Sequence, residues 1–285
     1  MKKQFRNSSK KIFILCCLIL CFLFFWECIN RKEISDTTIS YFYDKNGLIT
    51  ISLEDGKSFV IDTGADASLI FSDRLKVNST IRGVFWVNKK RLLSFKKVDS
   101  LQIENLLIKN HNFVFEKAKN TVFEKDTTIV GIIGMDILSQ KYCYFDVKNQ
   151  TIIFSDEKKV QTDTPSFVFS YKSSKIPVSD MCINGIMFED VLFDTGFNLF
   201  LKLFETDTGK LNNQPILRQD TNYDFSGNQL LTYHEQYDSV LINGVNFQNQ
   251  EISYGQNYHL LGMKFVKCWS SFSIDPFKKE IEFYL

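Results

Sequence analysis

Phe59–Ile70 reads FVIDTGADASLI, and Val191–Lys202 reads VLFDTGFNLFLK. Each is an apolar run that ends in Asp-Thr-Gly and turns apolar again a few residues later. An apolar strand delivers the aspartate to an interior position, and the glycine lets the backbone turn back with no side chain in the way. Asp and Gly are common in β-turns for local hydrogen-bonding reasons, so one such triplet decides little. Two of them in matching surroundings need a common cause.

The surroundings do match. Val98–Phe115 (VDSLQIENLLIKNHNFVF), Ile129–Leu138 (IVGIIGMDIL) and Tyr144–Phe154 (YFDVKNQTIIF) follow the first triplet. Tyr237–Tyr254 (YDSVLINGVNFQNQEISY), His259–Val266 (HLLGMKFV) and Phe272–Leu285 (FSIDPFKKEIEFYL) follow the second in the same order. Asp62 lies 72 residues before Gly134 and Asp194 lies 68 before Gly262, while the further steps to Asp146 and Asp275 are 12 and 13. Such self-similarity is the mark of a duplicated unit with insertions confined to loops.

Strand signals dominate both copies. Phe (28 residues), Tyr (11) and many Ile and Val favour strands. Asp55-Gly56, Asn184-Gly185 and Asn243-Gly244, with Glu104-Asn105 at the place matching the last, predict tight hairpins. Helical spacing is confined to short stretches, Met135 to Gln140 and Leu199 to Thr206. Asp136 is expected to cap the first of these, Lys264 to be solvated, and Asp146 and Asp275 to shape hairpins.

A net charge of +1 from 34 basic and 33 acidic residues gives no field to draw the chain to nucleic acid. With 44% hydrophobic residues, 4 Pro and 13 Gly, disordered and collagen-like classes are excluded. At 285 residues the chain can build one large domain or two of medium size.

Lys2, Lys3, Arg6, Lys10 and Lys11 precede a wholly apolar stretch, residues 12–26 (IFILCCLILCFLFFW). This predicts an export signal or membrane anchor over residues 1–30, as a signal or membrane helix, with the basic terminus cytoplasmic and the body extracytoplasmic, anchored or secreted. Fifteen residues are fewer than the roughly 20 of a full span, yet no small-residue cleavage site follows. Cys28, preceded by Trp26-Glu27, is a poor match to a lipidation signal. Cys143, Cys182 and Cys268 in the body are no disulfide framework, although one bridge is compatible with an oxidising compartment. His111 and His234 fall in polar contexts and His259 precedes Leu260. None has a second ligand nearby, so no metal site is expected.

The repeated D-T-G, each paired with an apolar-apolar-Gly segment (Ile132-Ile133-Gly134 and Leu260-Leu261-Gly262), resembles the aspartic proteases, pepsin-like and retroviral-type together. VIDTGADASLI and GIIGMDIL look especially like the retroviral form. The resemblance runs from about residue 40 to the C-terminus. It implies an all-β fold of two homologous β-barrel lobes, residues 31–160 and 161–285, divided in the polar stretch 155–164, with a cleft between them. It also implies an endopeptidase in which Asp62 and Asp194 hold a water between them. Thr63, Gly64, Ala65, Thr195 and Gly196 would support the pair, and Gly134 and Gly262 would admit the strand behind each loop.

No cofactor is implied. A peptide or protein is the expected partner, and because both halves are present a monomer suffices. A flap hairpin is expected over residues 81–92, with Gly83 as hinge and Phe85 or Trp86 covering the cleft. Phe197 departs from the family, where Ser, Thr or Ala usually follows the triplet. It motivates the alternative of a catalytically inactive peptide- or protein-binding module. A cell-surface scaffold is the third reading, and retention of both aspartates, threonines and glycines weighs against it.

Overall fold

In a computed structural model the described residues are 36–285 apart from 88–90, 159–163, 173–174, 212–214, 226–227 and 257. The predicted signal or anchor (1–30) and most of the predicted lobe boundary therefore lie outside them. No helix among the described residues is long and apolar enough to cross a membrane.

Strands build almost everything, and they form three sheets. In the first half the central strands Ile49–Ser52, Ser58–Ile61, Leu69–Phe71 and Ile129–Ile133 are buried along nearly their whole length. They read as continuous apolar runs because both faces are covered. Leu106–Glu116 and Arg91–Ile103 extend the same eight-stranded sheet outward to the hairpin strand Ser79–Val87. The second half repeats the plan with Val178–Ile183, Ile186–Phe193, Leu201–Phe204, Leu260–Leu261, Val245–Gly255, Gln229–Ile242 and Ile216–Tyr223.

Unusual pairings recur in both copies. Ser58–Ile61 runs parallel to Ile129–Ile133, as Ile186–Phe193 does to Leu260–Leu261. Leu69–Phe71 runs parallel to Leu106–Glu116, as Leu201–Phe204 does to Val245–Gly255. Parallel neighbours need long crossovers, so their recurrence ties the duplication read in the sequence to one topology used twice.

The third sheet is shared. Its order is Thr37–Ser40, Thr151–Ser155, Tyr142–Asp146, Ser271–Asp275, Glu280–Tyr284 and Phe167–Ser170, all antiparallel. Three strands come from each half, and the halves meet at Tyr142–Asp146 against Ser271–Asp275. There Phe145 and Phe272 pair in register and stack with ring centroids 4.3 Å apart, 8° from parallel. Phe193, Phe265, Phe283 and Trp269 continue the aromatic core above this seam.

Local chemistry explains most turns. Asn184-Gly185 and Asn243-Gly244 each close a two-residue loop with both residues at positive φ. Glu104-Asn105 closes a third two-residue loop between Ile103 and Leu106. The Asp55-Gly56 turn is wider than expected: only Gly56 has positive φ, and the ladder resumes at Ser52 opposite Ser58. Asp146 accepts from Asn149 and Asp275 from the Phe277 and Lys278 N–H groups, both within hairpin turns as expected.

Three other expectations are corrected. Leu199 to Thr206 is no helix: Leu201–Phe204 is a strand inserted between Leu260–Leu261 and Val245–Gly255, so tertiary pairing overrides the helical spacing. Asp136 does not cap the helix Met135–Leu138, whose N-cap is Gly134 with no side-chain cap. The histidines are buried, His111 and His234 within strands rather than polar loops. Cys143, Cys182 and Cys268 are free thiols, Cys143 buried and Cys268 exposed.

Candidate active site

The two Asp-Thr-Gly turns meet at the base of a cleft of about 740 Å³ between the halves. Each aspartate is delivered by a strand whose last residues are buried, Ser58–Ile61 or Val191–Phe193 at the end of Ile186–Phe193, and each turn is clamped from behind. Asp62 N–H donates to Ile133 O (3.0 Å) and Asp194 N–H to Leu261 O (2.9 Å). Ala65 O accepts from Met135 N–H (2.8 Å) and Phe197 O from Met263 N–H (2.7 Å).

The threonines tie one turn to the other. Thr63 N–H donates to Thr195 Oγ1 and Thr195 N–H to Thr63 Oγ1, both at 3.0 Å. The Thr63 hydroxyl donates to Phe193 O (2.8 Å) and the Thr195 hydroxyl to Ile61 O (2.9 Å). Both threonines are fully buried, so these four crossed bonds have no competing water.

The glycines are steric requirements. A Cβ on Gly64 would lie 2.7 Å from Asp194 Cγ, and one on Gly196 would lie 2.8 Å from Asp62 Cγ. Those approaches place the carboxylates face to face. Gly134 and Gly262 are the contact points behind the turns: a Cβ there would meet Ala65 O at 2.7 Å, or Phe197 O at 2.4 Å and Leu199 O at 2.5 Å. Gly262→Ala is therefore expected to cost about 3 kcal/mol or more, because rigid backbone must move. The drop in urea midpoint measures it, and a shift within experimental error would contradict the packing described.

Burial raises both carboxyl pKa values, and the neighbouring Asp62 raises Asp194 further. For Asp62 desolvation dominates, opposed by bonds from Asp194 and from the Gly64 and Ala65 N–H groups at 2.8 and 3.1 Å. For Asp194 desolvation dominates again and the Asp62 charge adds to it, with only Gly196 N–H (2.8 Å) donating from the backbone. Two donors against one favour charge on Asp62 and the shared proton on Asp194.

Ala65 N–H is shared between the Asp62 carbonyl (3.3 Å) and carboxylate (3.1 Å), whereas Phe197 N–H bonds the Asp194 carbonyl (3.1 Å). The Phe197 ring packs beside Gly262, 6.0 Å from Lys202 Nζ, and forms cleft wall without separating the aspartates.

Behind the first turn, Ser68 N–H and Oγ donate to Asp136 Oδ1 (3.0 and 2.6 Å), and Ser68 Oγ accepts from Gly134 N–H (2.9 Å). Asp136 Oδ2 contacts His111 Nε2 at 2.8 Å. This polar network fixes the first turn. The second turn has Phe200 packed on Phe247 and Phe265 instead.

A hairpin stands at the predicted flap position, with Ser79–Val87 paired to Arg91–Ile103. Its register shifts between Ile81 and Gly83, and a Cβ on Gly83 would meet nothing within 4 Å. The tip and the side chains of Phe85 and Trp86 lie outside the described residues, so their predicted cover of the cleft does too. A second hairpin, Ile216–Tyr223 with Gln229–Ile242, reaches across from the other half. Its loop touches the first half where Val122 N–H donates to Phe225 O (3.2 Å), and Asp224, Phe225 and Leu230 join the cleft lining. Arg74 holds the receiving loop through the carbonyls of Phe123, Glu124, Asp126 and Ile129.

Sequence reasoning misses this bridging loop, whose contact joins the Val122–Phe225 backbone bond to the Phe225 ring packed on Phe123, centroids 6.5 Å apart. It also misses Lys202, which lines the cleft at 8% exposure. The one signal for Lys202 is a lysine inside an apolar run. Among the described residues no group of three or more His, Cys, Asp or Glu converges to hold a metal ion.

No known family model and no curated protein matches the chain. Solved structures do. The basic 7S globulin of soybean superposes with a TM-score of 0.51 at 10% identity, covering 88% of this chain and 95% of the globulin. Conglutin gamma, a basic 7S globulin of lupine seeds, gives 0.43 at 9% identity, covering 89% and 95%. A retropepsin-like aspartic protease of Rickettsia conorii gives 0.31 at 20% identity, covering 41% and 88%.

The fold is aspartic-protease-like, two-lobed and all-β. The soybean globulin supports it across nearly the whole chain, and at that identity the likeness concerns fold alone.

Proposed function

We propose that the chain is an aspartic endopeptidase that hydrolyses peptide bonds with water activated by Asp62 and Asp194. The observation that carries this reading is the pair of facing carboxylates, clamped by crossed threonine bonds and opening onto a cleft. Two carboxylates so close share one proton and titrate as a unit. Asp62, with two N–H donors, takes a proton from the attacking water while Asp194 gives its proton to the carbonyl oxygen. Asp62 then passes the water's proton to the leaving amine as Asp194 recovers one from the collapsing gem-diol. An extended peptide in such a cleft gains main-chain hydrogen bonds, and alternate side chains set specificity.

The test is cleavage of a diverse peptide pool by the full chain from pH 3 to 8, with and without a statine-type transition-state analogue. Cleavage blocked by the analogue supports the reading. A folded protein that cuts nothing but binds the analogue favours the peptide-binding alternative that Phe197 motivates.

The pH dependence follows from the raised pKa values. The active form carries one proton per pair, so activity rises as the first carboxyl ionises and falls as the second does. With both raised by burial, the bell lies above the ordinary carboxylate range. A profile of kcat/KM peaking at or below about 4 would contradict it.

The basic and apolar segments of residues 1–26 support export with the body outside the cytoplasm, anchored or secreted. A monomer supplies both aspartates, so the proposed chemistry needs no second copy.

A further inference from the structure

The register of the two halves exposes an exchange that the sequences hide. Counted from the aspartates, Lys202 would match Ile70, because the triplets are 132 residues apart. The sheets say otherwise. Ile133 and Leu261 are equivalent, since each accepts from its aspartate's N–H. Their preceding neighbours pair Ile132 with Leu69 and Leu260 with Lys202. Lys202 therefore stands where the other half has Leu69, eight residues beyond its aspartate rather than seven. One extra residue sits in the turn that holds Phe197.

Leu69 and Lys202 both line the cleft and are almost equally buried, at 7% and 8% exposure. One wall of the cleft thus carries an aliphatic side chain and the opposite wall a cation in the same place. Burying a lysine is costly unless its charge finds a partner. Lys202 donates to Gln256 O at 3.2 Å and has no carboxylate within 4 Å among the described residues. The nearest aromatic face is Phe197, 6.0 Å away. Asp194 acts on it only through space, and burial holds Lys202 below the ordinary lysine range. Gly255 beside it leaves the lysine stem unobstructed, a Cβ there reaching no nearer than 3.9 Å to Lys202 Cδ.

We propose that Lys202 forms a specificity subsite for an anionic group on the peptide, an Asp or Glu side chain bound within two residues of the reacting bond on the wall of Asp194. This rests on the peptide-cleft reading above and goes beyond it by naming the substrate class. A charge-assisted bond to a lysine this buried is strong, and the opposite subsite against Leu69 and Ile132 takes an apolar side chain. The substrate is thus acidic on one side of the bond and apolar on the other.

The experiment uses the full chain and hexapeptides in which each position in turn is Glu, Gln or Leu. Cleavage is read as kcat/KM, and binding of statine-centred versions by fluorescence anisotropy, so that the subsite is tested even in a protein that does not cleave. The expected result is a preference of about tenfold or more for Glu over Gln at one position. It should be lost in Lys202→Met and turned to a preference for Lys in Lys202→Glu, with thermal melts showing both variants folded. Glu preference in binding without any cleavage would sustain the subsite and sink the endopeptidase. Equal handling of Glu and Gln at every position in both readouts, or a Glu preference that survives Lys202→Met, overturns the subsite and leaves the endopeptidase reading standing if cleavage is seen.

Discussion

Asp62→Asn and Asp194→Asn are each expected to lower kcat/KM for peptide cleavage by about 10⁴-fold or more, the scale on which acid–base partners acting as a unit fail when one is removed. The double variant should be scarcely worse than either single one, since a lone carboxyl cannot share a proton across the pair. Asparagine matches aspartate in shape, so the fold should survive. Stability should respond with a definite sign. Burial and the facing Asp62 charge raise the folded pKa of Asp194 above its unfolded value. Its contribution to stability is therefore complete below the unfolded pKa of about 3.9 and is lost as pH rises through the folded value. An amide in its place does not titrate and has nothing to lose over that window. Asp194→Asn should accordingly gain on the parent chain as pH rises from 4 to 8, by about 1–2 kcal/mol at the upper end, a gain typical of relieving a functional site. Urea melts at several pH values measure it. A variant that becomes relatively less stable with rising pH would contradict the assignment of the proton to Asp194.

The second large effect concerns the crossed threonines. Thr63→Val removes the hydroxyl that donates to Phe193 O and accepts from Thr195 N–H, leaving two buried backbone groups without partners. At about 1–3 kcal/mol for each group, the loss should be roughly 2–6 kcal/mol. For a chain of this size that is about 2–4 °C of Tm per kcal/mol. Thr63→Ser keeps the hydroxyl and should keep most of the stability, which separates the hydrogen bonds from the methyl packing. Activity should fall further than stability alone explains, because the threonines set the spacing of the carboxylates and small misplacements cost about 10²-fold. Thr195→Val should behave alike, and the double variant should cost less than the sum, since one broken clamp frees the groups of the other. Full additivity would mean that the two turns are held by something else.

Both turns, both rear glycines and the repeated order of strands can be read from the sequence, because a steric demand restricts residue choice sharply. Only glycine leaves room for a carboxylate 2.7 Å from its Cβ position, and such a demand leaves the same letter in both copies. Long-range pairing leaves no such letter. Leu199 to Thr206 carries helical spacing and becomes a strand because open strands wait on both sides of it. His111 and Asp136 read as unrelated polar residues when each is taken in its own segment. They meet only because a strand and a short helix bring them within 2.8 Å. Lys202 is hidden by a one-residue insertion, which a comparison of triplets aligns wrongly and the ladder aligns directly. The loop at Asp224–Phe225 reaches the other half by a backbone bond and by one aromatic contact with Phe123, about a hundred residues away in sequence, which local pattern does not advertise.

The sheet shared by the halves bears on how the chain comes to be made. When only the first half has been synthesised, Tyr142–Asp146 is an open edge whose partner, Ser271–Asp275, is still more than a hundred residues away. Thr63 at that moment has no Thr195 to receive its N–H. An unpaired edge strand is a template for adhesion to other chains, and a pairing closed only by the last residues is slow to form. The nascent first half is thus an incomplete body, whose edge stays open until Ser271–Asp275 has emerged to pair with it.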